Sequence, residues 1–286
     1  ASCFAGDSHF TLSQLTLRGT IRSLLVVWKA WFPVPHLYTD FWDSNILKGD
    51  VLKAILSLFL LFSAGVLFCR KKTTLFLFIT GSAGIIGFIL LYYYGSIRHH
   101  GHMFLLLYAC LWLSASPDED TRPFRNPYLS KYHRWLTGKR EKLLNILLIV
   151  QAAAGIYAVT VQFFVPFSAS REAVSFIRHR GYDRFMLAGD RDVGLESIAG
   201  YLDREAFFFS RNGNCRYLFY DRKRTDLNQP DFIRMADSLA RAHGDTILLA
   251  MNYALPADAG LHLLHVGSFT RAIRCDEKYY LYLLIP

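Results

Sequence analysis

Ile97-Arg98-His99-His100-Gly101-His102 is a short polar stretch between two apolar runs, Thr73–Tyr94 before it and Met103–Ala115 after it. Roughly 20 apolar residues cross a bilayer as a helix, so the first run is long enough and the second nearly so. A cationic stretch between two such runs belongs at a membrane face, because a charge held at mid-bilayer is costly. Working outward, Val51–Cys69 and Leu143–Phe167 read as two further spans. The predicted fold class is therefore mixed: a multi-pass α-helical membrane region of about four spans, then a soluble α/β domain. Met103–Ala115 is short for a span, and it is expected to begin inside the His cluster or to cross a thinned region.

Charge placement sets the expected sidedness. The chain of 286 residues carries a net charge of +9. Residues 51–142 hold twelve basic and four acidic side chains, so 12 − 4 = +8 falls there. The excess lies in loops between apolar runs rather than along a soluble face, which argues against a nucleic-acid binder. Arg70-Lys71-Lys72 and the 116–142 loop, with seven basic and four acidic residues, are two spans apart and both basic. The positive-inside rule puts both in the cytoplasm. Residues 1–50, the 97–102 turn and everything after Pro166 are then extracytoplasmic. A start on that side implies an earlier exporting span.

Three domains are expected. Residues 1–50 hold an amphipathic helix over 11–32, with Leu17, Ile21, Leu24, Leu25, Trp28 and Phe32 on one face and Arg18, Arg22 and Lys29 on the other. Such a helix either lies on lipid headgroups or packs on the spans. Pro33-Val34-Pro35 ends it, since proline lacks an N–H, and an aromatic loop follows. Residues 51–167 are the membrane region, in which Gly81, Gly84 and Gly87 offer small surfaces for close helix packing. Residues 168–286 alternate helix and strand: a helix over 171–180 capped by Ser170 and stopped by Gly181, a strand over 185–188, a turn over 189–192 and a helix over 193–202 capped by Asp192. Strands over 205–210 and 217–220 flank an Asn212-Gly213-Asn214 turn. A helix over 230–242 and strands over 246–251, 261–266 and 279–285 complete an α/β sheet. The five cysteines form no C-x-x-C pair, and Cys215 and Cys275 are a pair only if the tail is outside the cytoplasm and the fold brings them together.

The chemistry-bearing residues fall in three groups. Arg98, His99, His100 and His102 could clasp a phosphate or pyrophosphate: Arg offers a planar fork of donors and His adds donors near neutral pH. The plainer alternative is an interfacial turn touching lipid headgroups. No cofactor is implied, and a divalent metal lacks the nearby carboxylate or Cys that a tetrahedral set needs. Asp40, Trp42, Asp43 and Asn45 combine carboxylates, an amide and aromatic rings, as a sugar or hydroxyl acceptor site would. The alternative, favoured here, is that Asp43 or Ser44 caps the first span while the rings form an interfacial belt. Gly189-Asp190-Arg191-Asp192-Val193-Gly194 is read as a capped turn, because it lacks a Walker lysine and its carboxylates would repel phosphate. The tail has no nucleophile elbow and no H-E-x-x-H. No charge sits at mid-span, so a transporter has no path for its solute.

The order of outer aromatic loop, paired spans, Arg/His turn, basic inner loop, last span and α/β domain resembles the carboxy-terminal part of GT-C class integral-membrane glycosyltransferases, and a related bacterial membrane-protein group. Pro33-Val34-Pro35, Phe41-Trp42-Asp43-Ser44-Asn45, Arg98-His99-His100-Gly101 and Gly200-Tyr201-Leu202 carry the resemblance. It implies transfer of a sugar from a polyprenyl-phosphate donor to an extracytoplasmic acceptor, in a bacterial inner membrane. The bilayer and a polyprenyl-phosphate-linked sugar are then the partners, and nucleic acid is not one. Arg98 and its neighbours would touch the phosphate. The family's early-loop catalytic acid has no counterpart here. A non-catalytic membrane scaffold whose α/β tail binds a partner or envelope polymer is the competing expectation.

Overall fold

The computed structural model describes residues 16–39, 41–115, 126–190, 192–216, 225, 227–256 and 260–286. The chain divides into two compact units, a helical one within residues 6–159 and an α/β one over 160–286.

In the helical unit, α1 (Leu17–Trp31), α2 (Asp50–Phe68), α3 (Lys72–Leu91), α4 (Ile97–His100), α5 (His102–Leu113) and α6 (Pro127–Phe164) follow in order. Thr16 starts α1 by accepting the Gly19 N–H at 3.0 Å. Val26 and Val27 are fully buried and Ala30 and Trp31 nearly so, packed with Phe68, Met103, Leu107 and Leu147. The apolar face of α1 is thus covered by the other helices of its unit, which is the packed alternative of the two expected for it. Mid-helix, Ser57 Oγ on α2 accepts the Trp28 N–H at 3.0 Å, and Gln151 on α6 donates to Ala30 O at 2.6 Å.

Among the described residues, three helices are long and apolar enough to cross a membrane: α2, α3 and α6, of 19, 20 and 38 residues. The expected third span is instead α5, at 12 residues. At 1.5 Å per residue it covers about 18 Å, well under the hydrocarbon thickness. It starts at His102, inside the His cluster. Of the three glycines on α3, only Gly81 is closely approached: a Cβ there would come 2.9 Å from Leu106 of α5, whereas Gly84 and Gly87 face open space. Lipid tails are as apolar as leucine, so contact fit of this kind holds such helices together.

In the α/β unit, α7 (Ser170–His179), β1 (Met186–Gly189), α8 (Asp192–Leu202), β2 (Ala206–Phe208), β3 (Gly213–Cys215), α9 (Gln229–His243), β4 (Ile247–Met251), β5 (Leu263–Phe269) and β6 (Tyr279–Leu284) form one sheet with strand order β3-β2-β1-β4-β6-β5. β1 runs parallel to β2 and β4, and the outer strands are antiparallel. β4 is buried along its whole length, as a central strand with helices over it should be. Several expected boundaries shift. Ser168, not Ser170, receives the first helical N–H, with Ser170 N to Ser168 Oγ at 3.1 Å. Gly181, at φ +65°, ends α7 where glycine's freedom is needed. β2 pairs across the Asn212 turn with Gly213–Cys215; the strand expected over 217–220 lies outside the described residues. Asn228 caps α9 by accepting the Asp231 N–H at 2.8 Å. Cys215 and Cys275 are not joined to each other in a disulfide.

Candidate functional site at the His turn

The two polar stretches singled out in the sequence meet. Asp43 Oδ1 accepts the Ile97 N–H at 2.6 Å, across 54 residues. Asp43 therefore caps α4, one of the donors every helix start leaves over. Its own backbone, at φ +61°, is left-handed, a conformation that Asp tolerates better than most residues. A second cap comes from within the turn: His99 Nδ1 accepts the Ser96 N–H at 3.1 Å, while the Ser96 side chain receives the His99 N–H.

The four basic residues of the turn have separate surroundings. His100 is 1% exposed; its Nε2 donates to Tyr94 O at 3.0 Å, its ring stands edge-on to Tyr94, and its Nδ1 has no partner. Burial lowers its pKa to about 4. His99 is half-buried, and burial first, then the charges of Arg98 and His102, lower its pKa too. An Nδ1 that accepts a hydrogen bond already requires a neutral ring. His102 is exposed and donates through Nδ1 to His99 O at 2.7 Å. Arg98 is exposed. Two of the three histidines thus hold the turn in place, and Arg98 and His102 present it to its surroundings.

More cations stand close by. The Arg22 guanidinium lies 4.0 Å over the Tyr94 ring. Lys29 Nζ donates to Asp43 O at 3.4 Å, and burial followed by the charge of Lys53 lowers its pKa. Lys53, buried on α2, pairs with Asp50 at 3.1 Å. The sequence does carry a signal for this grouping, since Arg22 and Lys29 are seven residues apart on one helix face.

The remaining loop residues act inside the fold. Asn45 is 7% exposed and makes three hydrogen bonds: it accepts from Trp28 Nε1 at 3.2 Å and Leu47 N at 3.1 Å, and donates to Phe32 O at 2.8 Å. Ser44 Oγ accepts the His36 N–H at 3.0 Å. Phe41 is buried edge-on to Tyr157, and Trp42 is half-buried beside it. Asp40 lies outside the described residues. Asn45→Leu is expected to destabilise the protein by about 2 kcal/mol, because each abandoned buried partner costs about 1 kcal/mol or more. Thermal unfolding in detergent checks this, and an unchanged midpoint would contradict the role assigned to Asn45.

In the α/β unit, the Gly189–Gly194 turn has a packing explanation. A Cβ on Gly189 would meet Ala250 O at 2.6 Å, so this residue lets β1 lie tightly beside β4. Asp190 is buried and accepts from Tyr253 at 2.8 Å. Residue 191 and the side chain of Asp192 are outside the described residues. Among the described residues, no group of three or more His, Cys, Asp or Glu could hold a metal.

What the fold and the turn define is a membrane-associated protein with an α/β unit and an Arg/His-rich turn beside its apolar helices. Comparison of the chain with family models, with curated proteins and with solved structures gave no match.

Proposed function

We propose that the helical unit binds the phosphate of a polyprenyl-phosphate-linked sugar at the 97–102 turn, and that the protein works as a GT-C-like membrane glycosyltransferase on an extracytoplasmic acceptor. The observation that supports this reading is the division of labour in the turn: Asp43, His99 and His100 fix the backbone, while Arg98 and His102 stay exposed, and Arg22 and Lys29 hold Tyr94 and Asp43 next to it. In such a transfer the bond between the anomeric carbon and the phosphate oxygen breaks, and the acceptor hydroxyl oxygen bonds to that carbon as its proton passes to the departing phosphate. Negative charge grows on the leaving phosphate, where an Arg fork stabilises it most. Asp43 positions the turn; no base is assigned.

The reading includes four crossings, with α5 as the third, in a bacterial inner membrane and with both termini extracytoplasmic. Support for α5 comes from its antiparallel course along α3. His100 packs on Tyr94 at one end, Leu106 meets Gly81 midway, and Cys110 Sγ lies 3.9 Å from Thr74 O at the other end.

Arg98→Ala in the full-length protein is expected to abolish transfer from a radiolabelled polyprenyl-phosphate sugar, with Arg98→Lys retaining a small fraction and insertion unchanged in both. Full transfer by Arg98→Ala would remove the turn from the mechanism. One observation favours the scaffold alternative: Asp43, Asn45, His99 and His100 all serve internal hydrogen bonds. No turnover by the wild-type protein, with a binding partner captured through residues 168–286, would favour it.

A further inference from the structure

We infer that α1 and the chain behind it form a re-entrant element: the helix enters the bilayer beside α2, stops about halfway across, and the chain returns to the side it came from, with Gln151 as the residue that positions its buried end. This rests on α2 as a membrane span, not on the transferase reading or on which side is cytoplasmic. The direction of α1 comes from its contacts. The Trp28 N–H on α1 meets Ser57 Oγ on α2 at 3.0 Å. Beyond that contact, Trp31 and Phe32 border the same groove as Leu60 and Ala64, further along α2. The two helices therefore run side by side in the same direction. Arg22, nearer the start of α1, lies over Tyr94, which follows α3 at the end where α2 begins. A rise of 1.5 Å per residue puts Ser57 about 10 Å and Leu60 about 15 Å from the start of α2, so α1 ends near the middle of a hydrocarbon layer of about 30 Å. Because α2 starts at Asp50, back at the face, the chain after Phe32 covers the same depth in reverse.

A helix that stops inside lipid leaves carbonyls with no water to serve them, and such backbone persists only where protein supplies the partners. Those partners come from α6 and from the returning chain. Gln151, in the apolar half of α6, donates to Ala30 O at 2.6 Å. Asn45 donates to Phe32 O at 2.8 Å, and Ile46 N to Val34 O at 2.9 Å. Tyr157 OH, also on α6, donates to Tyr38 O at 3.1 Å. An amide within an apolar helix is costly without a partner, and the end of α1 gives Gln151 one. Pro33 and Pro35 have no N–H to satisfy. The charges of α1 are graded to match: Arg18 and Arg22 stand in its first half, and Lys29, the one charge in its second half, bonds to Asp43 O at 3.4 Å. The element also accounts for the length of α5. Trp31 Nε1 donates at 3.2 Å to the carbonyl of Met103, in the first turn of α5. α1 thus occupies the part of the thickness that the roughly 18 Å of α5 leaves uncovered. The returning chain carries Asp43 to the Ile97 N–H, so the fixing of α1 also fixes the turn.

The experiment uses the full chain in lipid nanodiscs, with the native cysteines replaced by alanine and a nitroxide placed singly at Leu17, which is exposed, and at Ile21 and Leu24, which are half-buried. The ratio of collisions with oxygen to collisions with a nickel chelate reads depth. Depth is expected to increase from Leu17 to Leu24 by about 10 Å, the helical rise between them. Equal depth at the three positions would mean that α1 lies flat on the headgroups, and overturns the inference. In vesicles of uniform orientation, an impermeant maleimide should reach Arg18→Cys and Lys48→Cys from the same side. Labelling from opposite sides would make α1 a complete crossing and overturns it as well. Gln151→Leu takes the donor away from Ala30 O. Hydrogen exchange over residues 28–34 should then quicken at least tenfold, while α2 stays as protected as in the wild type. Unchanged exchange over 28–34 contradicts the positioning role of Gln151.

Discussion

Lowering the pH from 6.5 to 4 is expected to remove about 3 kcal/mol of stability from the helical unit through His100 alone. The ring is 1% exposed, and burial lowers its pKa from 6.5 to about 4. Between these two values the unfolded chain binds a proton that the folded one refuses. Stability therefore rises with pH across this window; the contribution is complete above 6.5 and is lost as pH falls toward 4. The groups facing the ring set the balance: Tyr94 O accepts its Nε2–H, and Lys29 and His99 oppose a charge there while Asp43 favours one. Carboxylates elsewhere also titrate in this range, so the prediction concerns a difference. His100→Phe keeps a ring against Tyr94 and removes the titration. The stability gap between wild type and variant should widen by about 3 kcal/mol from pH 4 to 6.5, in denaturant titrations in detergent. A gap that stays flat would mean that His100 charges without penalty. His99, whose pKa is also lowered, leaves a weaker slope of the same sign in both proteins.

The residues on the page explain which features the sequence made legible. Apolar runs bounded by charge are one-dimensional signals, so α2, α3 and the apolar half of α6 read directly from them. Met103–Ala115 has the composition of a span but is short in the sequence itself, and its helix, from His102 to Leu113, is equally short and starts inside the His cluster. The Arg/His turn and the Asp-Phe-Trp-Asp loop were legible as polar stretches. Their meeting through Asp43 and Ile97 depends on a contact spanning 54 residues, for which the sequence carries no local signal. The same limit applies to the roles of Asn45 and His99: an amide or imidazole near aromatic rings reads as a ligand contact until its three-dimensional partners are known. In the tail, short apolar runs bounded by turn residues located most of the strands. β3 was missed because Gly213-Asn214-Cys215 has none of that composition, and it exists because β2 leaves an edge to pair with.

Glu277→Leu is expected to destabilise the α/β unit by about 3 kcal/mol. Glu277 is 9% exposed, and its Oε2 accepts from Ser168 Oγ at 2.7 Å, Tyr279 OH at 2.7 Å and Ser197 Oγ at 3.4 Å. Tyr279 is fully buried, and burial together with the neighbouring Glu277 pushes its phenol above the ordinary value of 10. It stays a donor at every accessible pH, so removing its acceptor strands an O–H in the core at a cost of about 1–3 kcal/mol. The two serine hydroxyls, partly buried, add smaller costs. Ser168 also accepts the Ser170 N–H, and Ala169 N donates to Glu277 O, so this carboxylate ties the start of α7 to the segment leading into β6. Glu277→Gln retains one acceptor oxygen and should cost only about 1 kcal/mol. Hydrogen exchange in the full chain separates these outcomes. Residues 170–178 should exchange much faster in the Leu variant and only slightly faster in the Gln variant. Equal protection in Leu and wild type would show that the three hydroxyls find other acceptors once the carboxylate is gone.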